Sequence, residues 1–113
     1  MAYDQDLANR FRAALGSRWD YYEQRMMGSL CFMIEGHMIG GCHRTKSGDR
    51  RFMFRVGKPN QAEALARPGA LPMLHGGRRM GGFVYVEESA CDPAALVGWI
   101  ELAAGYVATL PPK

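Results

Sequence analysis

The stretch RMMGSLCFMIEGHMIGGCHR, residues 25–44, decides the fold because it places two apolar runs on either side of one Glu-Gly step. Glycine tolerates the positive φ that a two-residue hairpin turn requires, so Glu35-Gly36 predicts a β-hairpin in which Ile34 faces His37. The same stretch holds four methionines, two cysteines and two histidines. A metal or thiol site is therefore the alternative interpretation of these residues.

Side chains alternate between the two faces of a strand, so the Ile34–His37 pairing assigns each residue of the hairpin to one face. The first predicted face is aliphatic and aromatic, and we expect it to be the core face: Leu30, Phe32, Ile34, His37, Ile39 and His43. The second predicted face is rich in sulfur: Met27, Ser29, Cys31, Met33, Met38 and Cys42. A third strand, RFMFRV at residues 51–56, adds Met53 to the sulfur-rich face, bordered by Arg51 and Arg55.

Helix signals lie at both ends of the chain. Asp4 is placed to cap a first helix, which carries an apolar stripe and ends at Gly16. Asp92-Pro93 predicts the start of a long helix over about residues 93–109, because a capping side chain precedes proline at the first helical position.

The segments between these helices alternate strand and helix signals. Residues 61–66 predict a short helix and residues 83–87 a strand. Residues 17–24 fit either an extended segment or a loose turn, and residues 71–80 fit a mostly irregular segment with room for a short strand. The predicted class is α+β: a two-layer fold in which an N-terminal, a short middle and a long C-terminal helix pack on an antiparallel sheet of about five strands.

The long C-terminal helix is apolar on more than one side. One stripe consists of Leu96, Ile100, Ala103 and Val107, and the other of Trp99, Leu102, Tyr106 and Leu110. One stripe can cover the sheet, whereas the other needs a further partner, either the first helix or another subunit.

Size and composition predict an ordinary globular domain spanning residues 1–113, with 48% hydrophobic and 22% charged residues. The net charge of +3 is too small to argue for nucleic acid or an anionic membrane as the partner. The first residues lack the pattern of a secretory signal, and the most apolar segment, residues 95–110, is interrupted by Glu101 and is short for a membrane span. Three cysteines without zinc-like spacing fit reduced thiols. We therefore expect a cytoplasmic protein without membrane association.

A metal or thiol site would draw on Cys31, His37, Cys42, His43 or His75. In the predicted register His37 and His43 are roughly 20 Å apart, and Cys31 and Cys42 are diagonal neighbours roughly 7–8 Å apart. The sequence contains no Cys-x-x-Cys, no His-x-x-x-His and no nucleophile signature. We therefore predict no catalytic, cofactor-binding or metal-binding residue, and a small thiol or metal enzyme using Cys31, Cys42 and His43 is the least favoured alternative.

Two surfaces are candidates for binding. The candidate protein interface combines the sulfur-rich face with the second helix stripe: Met27, Cys31, Met33, Met38, Cys42, Met53, Trp99 and Tyr106. The segment HGGRRMGG, residues 75–82, is interpreted as a flexible loop leading into a strand, since a phosphate-binding loop would precede a helix and end in lysine. If it does bind nucleic acid or another anion, the candidate contacts are Arg51, Arg55, Arg78 and Arg79, with Arg50 and Lys46 nearby.

Taken in order, several segments resemble the TfoX N-terminal domain family (TfoX/Sxy-like), named for a bacterial regulator of natural competence. They are YDQDLANRFRAAL, RMMGSLCFMIEGHMIGG, FRVG, ALARPGA, RRMGGFVYV and the closing helix that ends in TLPPK. The resemblance spans almost the whole chain and implies a secretion-chaperone-like arrangement of helices on an antiparallel sheet, in which dimers are common. The resemblance is to the stand-alone members of the family, which lack the second, C-terminal domain of the transcriptional co-activator. It implies no catalytic residue.

The leading hypothesis is a non-enzymatic regulatory or protein-interaction domain. We expect it to be a homodimer that binds through the sulfur-rich face or through the second stripe of the last helix, because its apolar surface exceeds what one small core can bury. Nucleic-acid or anionic-ligand binding is the second hypothesis.

Overall fold

The computed structural model describes residues 4–26, 28–75 and 77–111. Within these residues the helices and strands follow in the order α1 (Gln5–Leu15), β1 (Tyr22–Met26), β2 (Ser29–Ile34), β3 (His37–Arg44), β4 (Arg50–Arg55), α2 (Gln61–Leu65), β5 (Ala70–His75), β6 (Arg78–Glu87) and α3 (Pro93–Val107). Short 3₁₀ turns precede α2 and α3. The predicted α+β class is confirmed, with an N-terminal, a short middle and a long C-terminal helix.

The strands form one antiparallel sheet in the order β1-β2-β3-β4-β6-β5. It contains six strands rather than about five, because both ambiguous segments, β1 and β5, pair as edge strands. The strand predicted at residues 83–87 begins at Arg78. The interpretation of residues 78–82 as a loop was therefore wrong, since the start of β6 pairs with β5.

Side-chain hydrogen bonds from neighbouring residues fix where the two long helices begin. The Asp4 carboxylate accepts hydrogen bonds from the backbone N–H groups of Asp6 and Leu7, and α1 ends at Gly16, whose φ is 56°. Asp92 accepts from the backbone N–H of Ala95 and precedes proline at the start of α3. These signals confirm the predicted starts of both helices.

All three helices bury their apolar side chains on one face of the sheet. Phe11 of α1 stacks on Phe32 of β2 with ring centroids 4.1 Å apart, and Trp99 of α3 stacks on Phe54 of β4 at 5.3 Å. Trp99 is only 2% exposed and belongs to the main core cluster. The prediction that Trp99 belongs to an interface with another protein was therefore wrong. Of the two partners expected for the second stripe, the first helix is the one that packs against α3.

The predicted hairpin turn is confirmed: Ile34 pairs with His37, and both Glu35 and Gly36 have positive φ, 51° and 83°. Further along β3 the register shifts. Met33 pairs with Met38 and Phe32 with Gly40, so Ile39 is an extra residue in β3, a β-bulge.

The bulge reverses the predicted faces of the second half of β3. Cys42 is opposite Leu30 and Phe52 and lies in the main core cluster, not on the sulfur-rich face. His43 lies on the sulfur-rich face, not on the core face, and contacts Ser29 there. Both assignments were wrong because one inserted residue shifts the alternation by one position.

No helix among the described residues is long and apolar enough to cross a membrane.

Candidate functional site

The face of the sheet opposite the helices carries a cavity of about 300 Å³. We call it the sulfur cavity, after the six sulfur-containing side chains that line it among the described residues: Met26, Cys31, Met38, Met53, Met73 and Met80. Ser29, His43, Leu74, Phe83 and Tyr85 also line it. Two of these side chains, Cys31 and Met53, form a small buried cluster with Met33 that is separate from the main core and built from strand residues alone.

Four of the predicted interface residues are brought together at this site. Cys31, Met38 and Met53 line the sulfur cavity, and Met33 is buried in one cluster with Cys31 and Met53. The four come from β2, β3 and β4, neighbouring strands in the sheet, which is why the alternation of the hairpin and the third strand could find them.

The other four predicted interface residues are not part of the site. Met27 lies outside the described residues. Cys42 and Trp99 are buried in the main core. Tyr106 is half-buried on the helix side of the sheet, where it packs against the core cluster and its ring faces the guanidinium of Arg55.

Sequence reasoning missed seven described residues that line the sulfur cavity: Met26, His43, Met73, Leu74, Met80, Phe83 and Tyr85. Met73 and Met80 belong to a segment whose register is itself irregular, with a shift between Pro72 and Leu74, so no simple alternation marks them. His43 was assigned to the wrong face because of the β3 bulge. The adjacent Gly40-Gly41 pair was the one available signal, since glycine inside a strand often accompanies a bulge.

His43 is held in place at the edge of the sulfur cavity. Its Nδ1 lies 3.2 Å from the hydroxyl oxygen of Ser29, the residue beside it on β2. Burial lowers the pKa of His43, and the positive charge of Arg51 lowers it further, so the imidazole is neutral at physiological pH.

Arg51 contacts Tyr85, one of the lining residues, and makes two ion pairs nearby. Its guanidinium lies over the ring of Tyr85, 4.9 Å from the centroid, and pairs with Glu87 at 3.4 Å and Asp49 at 3.7 Å. Its Nε is buried and has no hydrogen-bond partner among the described residues. Arg51 is therefore engaged with its own chain rather than free to bind an anion.

The other predicted anion contacts do not join Arg51 in one patch. Arg55 faces the Tyr106 ring at 5.7 Å, whereas Arg78 and Arg79 are exposed at the first residues of β6, where that strand pairs with β5 alone. Arg50 is bound by Asp4 and Asp6, and Lys46 is exposed in the loop between β3 and β4.

The cysteines are all buried free thiols. Burial raises the pKa of Cys31, and it raises the pKa of Cys42 to about 12 and that of Cys91 to about 11. A thiol rather than a thiolate is thus present at neutral pH, and a thiol is a poor nucleophile. Cys42 lies in the core, so the set Cys31, Cys42 and His43 does not meet at one site.

Comparison of the chain with protein-family models, with curated proteins and with solved structures found no match.

Proposed function

We propose that this chain is a cytoplasmic protein-interaction domain that acts by binding rather than by catalysis, and that it pairs with a second copy of itself at the sulfur cavity. One observation carries the proposal. The helices cover one face of the sheet, while the opposite face keeps an apolar cavity of about 300 Å³ lined by methionines. Methionine side chains are flexible and polarisable, which suits a surface that must adapt to a partner.

The surface beside the sulfur cavity supports a second copy as the partner. Leu74 lines the cavity and is 58% exposed, and Leu71 on the same edge strand is 42% exposed. A two-fold axis places the same patch of both subunits in contact. Leu74 of each copy can then enter the cavity of the other, so that one patch supplies both the protruding side chain and the space that receives it.

The resemblance to the TfoX N-terminal domain family supports the same proposal. Dimers are common in the architecture that it implies, and the family's namesake acts as a transcriptional co-activator. A regulatory role, carried out through contacts with protein, is the role we propose on this basis.

The substitution Leu74→Glu tests the proposed dimer. A carboxylate at this exposed position places a charge inside the apolar cavity of the other copy, so we expect a dimer of the unsubstituted protein to become a monomer. Sedimentation velocity over a range of concentrations measures the mass. Because Leu74 is largely exposed, circular dichroism should show an unchanged fold.

Tyr22→Glu is the matched control. Tyr22 is 47% exposed on β1, the opposite edge of the sheet, and does not line the sulfur cavity. We expect this variant to remain a dimer. The proposal is wrong if the unsubstituted protein is a monomer at every concentration, or if Leu74→Glu and Tyr22→Glu have the same effect on mass.

A further inference from the structure

The bulge in β3 adds His43 to the face on which the regular alternation already groups Cys31, Met38 and Met53. On the cavity side of the sheet, Cys31 of β2 pairs with Gly41 of β3, which pairs with Met53 of β4. His43 is two residues after Gly41 on the same face, and Met38 precedes the bulge. A thiol, two thioethers and an imidazole thus line one cavity.

The spacing leaves room for an ion among these donors. Cys31 and Met53 are separated by the width of one intervening strand, so their backbones are about 10 Å apart. Both side chains line the sulfur cavity of about 300 Å³, which is large enough to hold an ion. The three rotatable bonds of methionine allow its sulfur to reach across such a gap.

The kind of donor identifies the kind of metal. Thioether and thiolate sulfur are soft ligands that select Cu(I), whereas Mg²⁺ and Ca²⁺ require carboxylate, carbonyl or water oxygen. Among the described residues that line the sulfur cavity there is no aspartate or glutamate. Among the described residues, no group of three or more histidine, cysteine, aspartate and glutamate side chains could hold a metal ion, so the donor set depends on methionine.

The environment of His43 also fits a ligand. Histidines that bind metals generally use their second ring nitrogen in a hydrogen bond that fixes the tautomer and the ring orientation. Ser29 Oγ lies 3.2 Å from His43 Nδ1, and if Nδ1–H donates to it, the lone pair is on Nε2.

We propose that the sulfur cavity binds one Cu(I) ion through Met38, Met53 and His43, with Cys31 as the fourth donor. Cys31 releases its proton to solvent when it coordinates, which makes the bound unit electrically neutral. The site does not require the proposed dimer, because the donors belong to one chain, although the ion and Leu74 of a second copy would occupy the same cavity.

Competition for Cu(I) under reducing, oxygen-free conditions tests the site. The full chain is titrated with Cu(I) in the presence of bicinchoninate, a chromogenic Cu(I) chelator, and the chelator complex is measured by its absorbance. We expect one Cu(I) per chain to be withheld from the chelator. The substitutions Met38→Leu and Met53→Leu keep an apolar side chain of similar volume but remove the thioether, and each should weaken Cu(I) binding roughly tenfold or more.

Met33→Leu is the matched control, because Met33 is buried in one cluster with Cys31 and Met53 but does not line the cavity. We expect this variant to bind Cu(I) like the unsubstituted chain. A second readout uses Ag(I), which has the same ligand preference without redox chemistry. On addition of one equivalent, the methyl NMR signals of Met38 and Met53 should shift more than that of Met33, which packs beside them.

Two results would overturn the proposal: no stoichiometric Cu(I) retained by the unsubstituted chain, or unchanged retention in the Met38→Leu/Met53→Leu double variant. Either result would show that the methionines only fill space. The mass of the double variant separates this outcome from a failure of the proposed dimer, since leucine preserves the apolar character of the cavity.

Discussion

Replacing Asp4 with asparagine should destabilise the protein at neutral pH and have little effect at low pH. Asp4 is only 4% exposed, and its side chain accepts hydrogen bonds from Arg44 at 2.8 Å and from Arg50 at 3.0 Å, in addition to capping α1. Asparagine retains an oxygen that can cap the helix but loses the charge that both arginines contact.

The magnitude follows from the pKa of Asp4. Burial alone would raise this pKa, but hydrogen bonds from Arg44, from the Leu7 backbone and from Arg50 outweigh burial and lower it from 3.8 to about 2. At about 1.4 kcal/mol per pKa unit, the charged form contributes about 2 kcal/mol to the free energy of unfolding. Because the folded-state pKa is the lower one, this contribution is present above about pH 4 and is lost as the pH falls towards 2.

Urea unfolding at a series of pH values measures this contribution, and urea is preferable to guanidinium because it adds no salt that screens ion pairs. Asp92→Asn is the matched control. Asp92 caps α3 through the Ala95 backbone N–H, is exposed, and has no salt bridge among the described residues. Since asparagine and aspartate are equally good caps, we expect this variant to lose less than about 0.5 kcal/mol.

If Asp4→Asn lowers the free energy of unfolding at neutral pH by no more than Asp92→Asn does, the ion pairs from Asp4 to Arg44 and Arg50 contribute nothing to stability. The linkage to protonation would be refuted if the cost of Asp4→Asn were the same at about pH 2 as at pH 7.

Three further predictions concern the backbone and the thiols. Gly40→Ala should destabilise the protein by about 1–3 kcal/mol in urea unfolding, because an added Cβ would overlap a carbonyl of the neighbouring strand. Gly105→Ala, on the open side of α3, should stabilise it by about 0.5–1 kcal/mol. Equal effects of the two substitutions on the free energy of unfolding would contradict the geometry. Glu35→Asn should raise the free energy of unfolding by up to about 1 kcal/mol, because asparagine tolerates the positive φ of this turn better than glutamate does, and a loss of stability would contradict the turn. Alkylation at about pH 8 should modify Cys42 and Cys91 only as fast as the protein unfolds. Both residues are fully buried, and their pKa values are raised to about 12 and 11. Peptide mass spectrometry measures the labelling, and rapid labelling of either thiol would contradict its burial.

The parts of the fold that could be predicted from the sequence depend on neighbouring residues. The turn at Glu35-Gly36 and the caps Asp4 and Asp92 are local signals, and each has the predicted role. The edge strand β1 could not be predicted with the same certainty. Its residues are almost all exposed, so its sequence shows no apolar alternation, and it is a strand because it pairs with β2.

The candidate site was predicted only in part because its composition depends on register. The alternation correctly grouped Cys31, Met33 and Met53. Cys31 and Met33 lie on β2 and Met53 lies on β4, and the inserted residue is in β3. It exchanged Cys42 and His43, because hydrophobic patterning does not reveal where a bulge shifts the pairing. Helix α3 is apolar on both sides, so its hydrophobic periodicity does not show which stripe faces the core.

Strand β3 is held near both ends of the described chain. At its last residue, Arg44 binds the Asp4 side chain, and at its first residue, His37 Nε2 lies 2.6 Å from the carbonyl oxygen of Pro111. Both contacts therefore fasten the two ends of the described chain to one central strand of the sheet. Fraying of the chain at residue 4 or at residue 111 would consequently break a contact with the middle of the sheet and not only one with its edge.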